Sequence, residues 1–317
     1  MRLARPIAVA ALLTTPVVSR AQTDPRSVKF RAASIGVTLR FQSDSLAALA
    51  PEMQRVLTQG LERYRLLFGG PPRAATGHAS DTLSIVVQSD KFGGGDSDPG
   101  VVRLTIGPRP VFGFYDWRLT LLHEALHLWN AESFRYASPR EQWFNEGVSE
   151  FYALQTATKM GLIDGVEAIR IAATAVGFYT SAFEQDKVSL TTAGAQKRNH
   201  YFLVYDGGWT AALVMDRDIR ERTKNTKSLD DVMRWMYQNF DRTRLYHTKD
   251  VARGIKITTG LNYDSFFARF IDGRVALPVA AALNLGELSM AYDVRRSGIS
   301  DGPKTDPFLM ASLGLKP

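Results

Sequence analysis

Cysteine is absent from all 317 residues, so no disulfide staples the fold and no thiolate is available to a metal. Histidine is scarce too, with five in the chain. Any metal site must draw on those few imidazoles and on Asp or Glu. Internal repeats and low-complexity tracts are also missing. Basic residues are scattered, with short clusters such as "RDIRER" (217–222) and "DVRR" (293–296) and no basic stripe interleaved with aromatics. That pattern excludes nucleic acid as an expected partner.

What is present is ordinary globular material, 45% hydrophobic and 22% charged. The start, "MRLARPIAVAALLTTPVVSRAQ", carries Arg2 and Arg5, an apolar run from Pro6 to Val18 and a small-x-small Ser19-Arg20-Ala21. Such a stretch reads as a secretory signal peptide cut after Ala21. The run is too short to span a bilayer and is broken by Thr14, Thr15 and Pro16. A lipid anchor would need a cysteine at the cut. The expectation is a soluble exported protein, periplasmic or extracellular, with no stable membrane anchor. Losing residues 1–21 removes three arginines and no acid, so the net charge falls from +7 to +4.

Strand-like alternation in "SVKFRAASIGVTLRFQSDS" (27–45) places Val37, Leu39 and Phe41 on one face. Helical spacing of Leu57, Leu61, Tyr64 and Leu67 predicts a helix over 46–69, ended by Gly69-Gly70-Pro71-Pro72. "DTLSIVVQSD" (81–90) and "VVRLTIG" (101–107) read as strands, with "FGGGDSDPG" (92–100) a turn or loop between them. From Trp117 to about Arg274 the pattern is helical. Strands followed by helices imply an α+β protein. The expected division is a strand-rich α+β lobe over 22–115, a helical lobe over 116–285 and an extended tail over 286–317.

At the junction of the lobes stands "LLHEALHLWN" (121–130), in which His123 and His127 are four apart with Glu124 beside the first. Residues four apart on a helix lie one turn apart, roughly 6 Å along the axis, so both imidazoles can converge on one ion. Glu124 then points beside the metal, where it can take a proton from a water. This is the mechanical content of H-E-x-x-H. The competing reading is a helix whose histidines merely bond to backbone or carboxylates. Nineteen residues after His127, Glu146 lies in the helical segment "EQWFNEGVSEFYA" (141–153), completing H-E-x-x-H-x18-E.

"HEALHLWN" followed by "WFNEGVSEFY" resembles the gluzincin metallopeptidases, whose fold is thermolysin-like, and in particular the glycyl aminopeptidase family. The resemblance runs through Trp129, Asn130, Trp143, Phe144, Glu146 and Gly147. It implies a catalytic unit binding one Zn2+ through His123, His127 and Glu146, with Glu124 as general base and a peptide or protein as substrate. Glu150, one turn beyond Glu146, is implied to bond the outer nitrogen of a histidine ligand; a surface glutamate in a salt bridge is the alternative. "YFLVYDGGW" (201–209) resembles the family's Tyr-x-Lys-Gly segment, so Tyr205 is implied to donate to the oxyanion, with Tyr201 and His200 as competitors. In "SLDDVMRWMYQNF" (228–240) Ser228 is the expected N-cap.

Two features depart from the family. Its aminopeptidases carry a Gly-Gly-x-Glu motif whose glutamate holds the substrate's free amine, whereas the nearest segment here offers Gly94, Gly95 and Asp96, with Asp98 beyond. The PDZ domain that often follows, and most of the large N-terminal β-domain, are missing from this length of chain. Three functions stay open: an aminopeptidase-like enzyme or an endopeptidase, a non-catalytic exported protein retaining the zinc site, and a zinc hydrolase acting on something other than peptides. Oligomeric state is not legible.

Overall fold

The computed structural model describes residues 26–73, 81–110, 116–284 and 306–316. The expected signal peptide lies outside them, as do residues 286–305 of the expected tail. Strand β1 (Ser27–Ala32) turns through Ala33 and Ser34, both at positive φ, into β2 (Ile35–Phe41), and the two pair antiparallel. After the short α1 (Asp44–Ala47), helix α2 (Ala50–Phe68) crosses over to β3 (Thr82–Ser89), which lies parallel to β2. Strands β4 (Phe92–Asp98), β5 (Val101–Ile106) and the two-residue β6 (Arg109–Pro110) complete a sheet of order β1-β2-β3-β5-β4-β6. Alternation does the work expected of it. Val37, Leu39 and Phe41, with Leu83, Ile85 and Val87, are buried in the core to which α2 contributes a face running from Met53 through Leu57 and Leu61 to Phe68.

The segment expected as a turn or loop, 92–100, is instead largely β4. Glycine disfavours strands when isolated, yet Gly94 to Asp98 pair residue by residue with Thr105 to Val101, and this partner supplies what propensity lacks. Only Pro99-Gly100 make the turn, with Gly100 at φ 71°.

Helices form the second half: α3 (Trp117–His127), α4 (Gln142–Lys159), α5 (Gly165–Asp186), α6 (Leu190–Ala195), α7 (Gly208–Arg222), α8 (Leu229–Asn239) and α9 (Thr248–Thr259). Ser228 caps α8 as expected, accepting from the Asp230 N–H while Asp231 reaches back to the Ser228 N–H. Three π-helical turns interrupt the pattern among the described residues, Leu128–Ser133 after α3, Leu203–Gly207 before α7 and Phe267–Ile271 after α9. One apolar core runs through sheet and helices alike.

The end of the chain departs from the extended tail expected of it. Pro307–Ser312 is a helix capped by the Asp306 carboxylate, with Leu309 and Met310 buried and Gln155 donating to the Ser312 carbonyl. An N-cap acid followed by proline at the first helical position is a start signal that outweighs the surrounding loop-like composition. Among the described residues no helix is long and apolar enough to cross a membrane.

Candidate metal centre and cleft

Helix α3 is the floor of the site. The Asp116 carboxylate caps it, accepting from the Arg118 N–H at 2.8 Å, and Leu119, Leu122 and Leu126 anchor it in the core. Gly60 lets it come close to α2, since a β-carbon there would sit 2.4 Å from Leu122 Cδ2. Held in this way, α3 brings His123, Glu124 and His127 together, and their ligand-type atoms lie within 4.8 Å of one another. All three are buried.

A tighter triangle includes Glu146 from α4. Nε2 of His123 and Nε2 of His127 are 3.1 Å apart, and Glu146 Oε2 lies 3.3 Å from the first and 3.4 Å from the second. Glu124 stands beside this triangle and not in it. No described residue hydrogen-bonds its carboxylate, which lines the cleft. The other oxygen of Glu146 accepts from Lys197 Nζ at 2.8 Å. Burial pushes the Glu146 carboxyl up, but His123, His127 and Lys197 outweigh it and hold the group well below the usual carboxylate range.

The protonation of His127 follows from its neighbours. Asn130 Nδ2 donates to the Asn145 carbonyl at 3.0 Å, and a carbonyl can only accept, so the amide orientation is determined. Its Oδ1 therefore faces His127 Nδ1 at 3.0 Å, and that nitrogen must be the donor. The lone pair of His127 is left on Nε2, the corner of the triangle. Ser149 Oγ completes the support by accepting from Asn130 Nδ2 at 2.9 Å.

This corrects the expectation for Glu150. The outer nitrogen of His127 is held by Asn130, and His123 Nδ1 is buried without a partner among the described residues. Glu150 bonds neither ring. The carboxylate one turn after Glu146 turns instead into the cleft wall, where burial, Asp206 and Glu146 push it well up. Asn130 belongs to the motif that carries the family resemblance, but its hydrogen bonds depend on α4 and are not readable from α3 alone. Trp129, in contrast, is packing: its ring stacks on Phe68 at 5.6 Å and its N–H donates to the Gly70 carbonyl.

Strand β4 is the roof of the cleft. A β-carbon on Gly95 would fall 2.8 Å from Glu124 Oε1 and 2.8 Å from Thr120 Cγ2, so only glycine lets the strand lie over the base. Gly94 also lines the cleft. Asp96 lines it as well, yet its carboxylate is taken by Arg103 at 2.7 Å, and Asp98 meets the same arginine at 2.9 Å. Both acids thus share one guanidinium, each through a single oxygen.

Tyr205 comes to the cleft from the π-helical turn. Its ring centroid is 6.1 Å from that of His123 and stacks 4.2 Å from Tyr201, with Lys197 Nζ 4.7 Å over its face. Burial first, then Glu146 and Tyr201, raise its phenol far above the usual value, so it keeps its proton and remains a donor. Tyr201 lines the same cleft and is raised for similar reasons. His200 drops out, since its Nδ1 meets Asp186 Oδ2 at 2.6 Å. Lys197 is the functional candidate that the sequence did not offer, because nothing local links it to a glutamate 51 positions earlier. The cleft lined by His123, Glu124, Tyr201 and Tyr205 measures about 450 Å³, and a separate hollow lined by His127, Asn145 and Glu146 about 290 Å³.

No protein-family model and no curated protein matches the sequence. The structure does find likenesses. An aminopeptidase N family protein from Idiomarina loihiensis is 17% identical with a TM-score of 0.64, over 83% of this chain and 49% of its own. A two-domain M1 zinc metallopeptidase solved with L-arginine is 14% identical with a TM-score of 0.58, over 81% and 54%. An M1 zinc metallopeptidase from Deinococcus radiodurans, solved with a Tyr-Ser-Ala substrate, is 14% identical with a TM-score of 0.52, over 80% and 52%. This chain thus spans about half the length of each. The mixed α/β fold resembles that of M1 peptidase domains, and the buried His123-Glu124-His127 group could hold a metal ion.

Proposed function

We propose that this protein is a zinc-dependent peptidase with a thermolysin-like catalytic unit, its zinc held by His123, His127 and Glu146. The observation that carries the reading is the triangle of Nε2, Nε2 and Oε2 with edges of 3.1, 3.3 and 3.4 Å. Ligands about 2.0–2.1 Å from a tetrahedral ion stand roughly 3.3–3.4 Å apart, and two imidazoles with one carboxylate are a zinc donor set. The His127 lone pair on Nε2 fits that role.

A bound zinc would supply Lewis acidity toward a carbonyl and toward a water. The rest falls to side chains. Glu124, without a hydrogen-bond partner among the described residues and beside the ligand triangle, accepts the proton of the attacking water and returns it to the departing amine. The Tyr205 phenol, kept neutral by its surroundings, donates to the oxygen on which negative charge develops. Lys197 holds Glu146 by the oxygen that faces away from both histidines. Among the described residues β6 pairs with β4 only at Phe92 and Gly93, and the edge beyond Gly93 would offer N–H and C=O groups to an extended peptide lying in the cleft.

The likeness to aminopeptidases favours cutting at the N terminus. The engagement of Asp96 by Arg103 favours a cleft open at that end, and so an endopeptidase, as the second reading. We also infer export, carried by the leader-like residues 1–21; N-terminal sequencing of the secreted chain tests it.

The deciding experiment digests a mixed peptide library with zinc-loaded wild type and Glu124→Gln, alongside metal analysis. Cleavage by wild type alone, with one zinc per chain in both, supports the reading, and the cut positions separate the two modes. Equal, negligible cleavage by both with zinc bound would leave a binding protein or a hydrolase of another bond.

A further inference from the structure

We propose that Glu150 and Asp206 form a subsite for an alkylammonium group of the substrate, either the tip of a lysine side chain or a free N terminus. This rests on the peptidase reading and narrows it to a substrate class.

Six carboxylates are buried among the described residues: Glu124, Glu141, Glu146, Glu150, Asp206 and Asp216. Three are satisfied within the fold. Glu141 accepts from Ser138 and Thr248, Glu146 from Lys197, and Asp216 from Arg220 and the Leu229 N–H. Of the other three, Glu124 has the role of base. That leaves Glu150 and Asp206, each only 6% exposed. No described residue hydrogen-bonds the Glu150 carboxylate, and Asp206 has only its own backbone N–H. A buried carboxylate without donors or a counter-charge is costly, and two near each other are costlier. An ammonium supplies both the charge and three N–H donors.

The surroundings specify the shape of that cation. Glu150 forms wall on two sides: with His123, Glu124, Tyr201 and Tyr205 in the catalytic cleft, and with Asp206 in a recess behind it. The recess measures about 60 Å³ and is lined by apolar groups such as Leu119, Ile171 and Phe178. At about 10–15 Å³ for each water-sized group, it has room for roughly four to six such groups. A lysine side chain beyond Cβ is of that size, with an apolar stem and a charged tip. The remaining acids of the recess are already matched, Asp116 to Arg118 and Glu167 to Arg170. Lys197, the cation whose charge reaches Glu150, is bonded to Glu146. A ligand that brings no cation leaves two carboxylates desolvated and unmatched, which is how a site discriminates by more than contact area.

Binding to a catalytically silent chain tests this apart from cleavage. The full-length Glu124→Gln protein, zinc-loaded, is titrated calorimetrically with Lys-Ala-Ala, norleucine-Ala-Ala and the N-acetylated form of each. The expected result is at least tenfold tighter binding of an ammonium-bearing peptide than of acetyl-norleucine-Ala-Ala. Whether acetyl-lysine or free norleucine keeps the advantage tells side chain from N terminus. Adding Asp206→Asn or Glu150→Gln should shrink the advantage below twofold, and Asp206→Glu should restore part of it, with thermal melts confirming that each variant is folded. Equal affinities for all four peptides, no binding of any, or an advantage that survives both amide variants would overturn the proposal. If the discrimination stands while wild type cuts none of the four peptides or the library, the peptidase reading fails and the subsite remains.

Discussion

Gly147 and Gly208 stand back to back where α4 crosses α7, so close that a β-carbon on Gly147 would lie 2.2 Å from the Gly208 carbonyl carbon. One on Gly208 would lie 2.0 Å from the Trp143 carbonyl oxygen. Backbone blocks backbone here, and no side-chain rotation can relieve it. Because Gly147 follows Glu146, this crossing sets the height of a ligand above α3. Gly147→Ala is expected to destabilise the protein by about 3 kcal/mol or prevent folding. Gly177→Ala, in open space on α5, should be neutral or stabilising by about 0.5–1 kcal/mol. Urea unfolding of the two variants makes the comparison.

Asn130 is predicted to matter for metal more than for folding. Asn130→Ala removes the acceptor that keeps the proton of His127 on Nδ1, and zinc affinity should fall about 10- to 100-fold. Competition with a chromophoric chelator measures it. Trp129→Phe, next door but in the packing layer, should leave zinc affinity unchanged and lower the melting temperature.

Gly95→Ala tests the roof over the base. The new methyl group meets both Glu124 and Thr120, so Glu124 must move off the water it would deprotonate. The turnover number is expected to drop at least tenfold, toward the lower end of what a general base contributes. Zinc content should be unchanged, which separates this effect from loss of the ligand triangle.

Asp206 predicts a pH dependence of stability. Burial raises its carboxyl from 3.8 to about 7. A raised folded-state value means the folded protein binds the proton more tightly than the unfolded chain does. Its favourable contribution is fully present below about pH 4 and is lost as pH rises through 7. Asp206→Asn removes that loss. Its melting temperature should match wild type near pH 4 and exceed it by at least about 3 °C at pH 8. A constant difference across that range would count against the buried, unmatched state of this acid.

How much of this was legible beforehand depended on whether the information was local. His123, Glu124 and His127 are related by a single helical turn, so their convergence is a property of spacing alone. Ser228 and Asp231 likewise announce α8 within four residues. Glu146 needed the family resemblance, since nothing in a gap of eighteen residues states that α4 returns beside α3. Lys197, the hydrogen bonds of Asn130 and the turn of Glu150 into the cleft wall depend on which helices pack together, and no local period encodes that. Strand β4 failed for a different reason: its glycines argue for a turn until β5 lies beside them. The helix at Pro307 was legible in Asp306-Pro307 but was obscured by the loop-like composition around it.

The π-helical turn at Leu203–Gly207 carries one residue more than the α-helix that continues it, so the helix over 201–222 is out of phase with itself across that point. Tyr205 and Asp206 sit in the phase slip, one facing the metal centre and the other the recess behind Glu150. Deleting Val204 would let the helix close up into regular geometry while rotating both side chains off their targets. Regularity and chemistry are opposed at this turn, and a shortened chain that melts higher yet does nothing would be the mark of it.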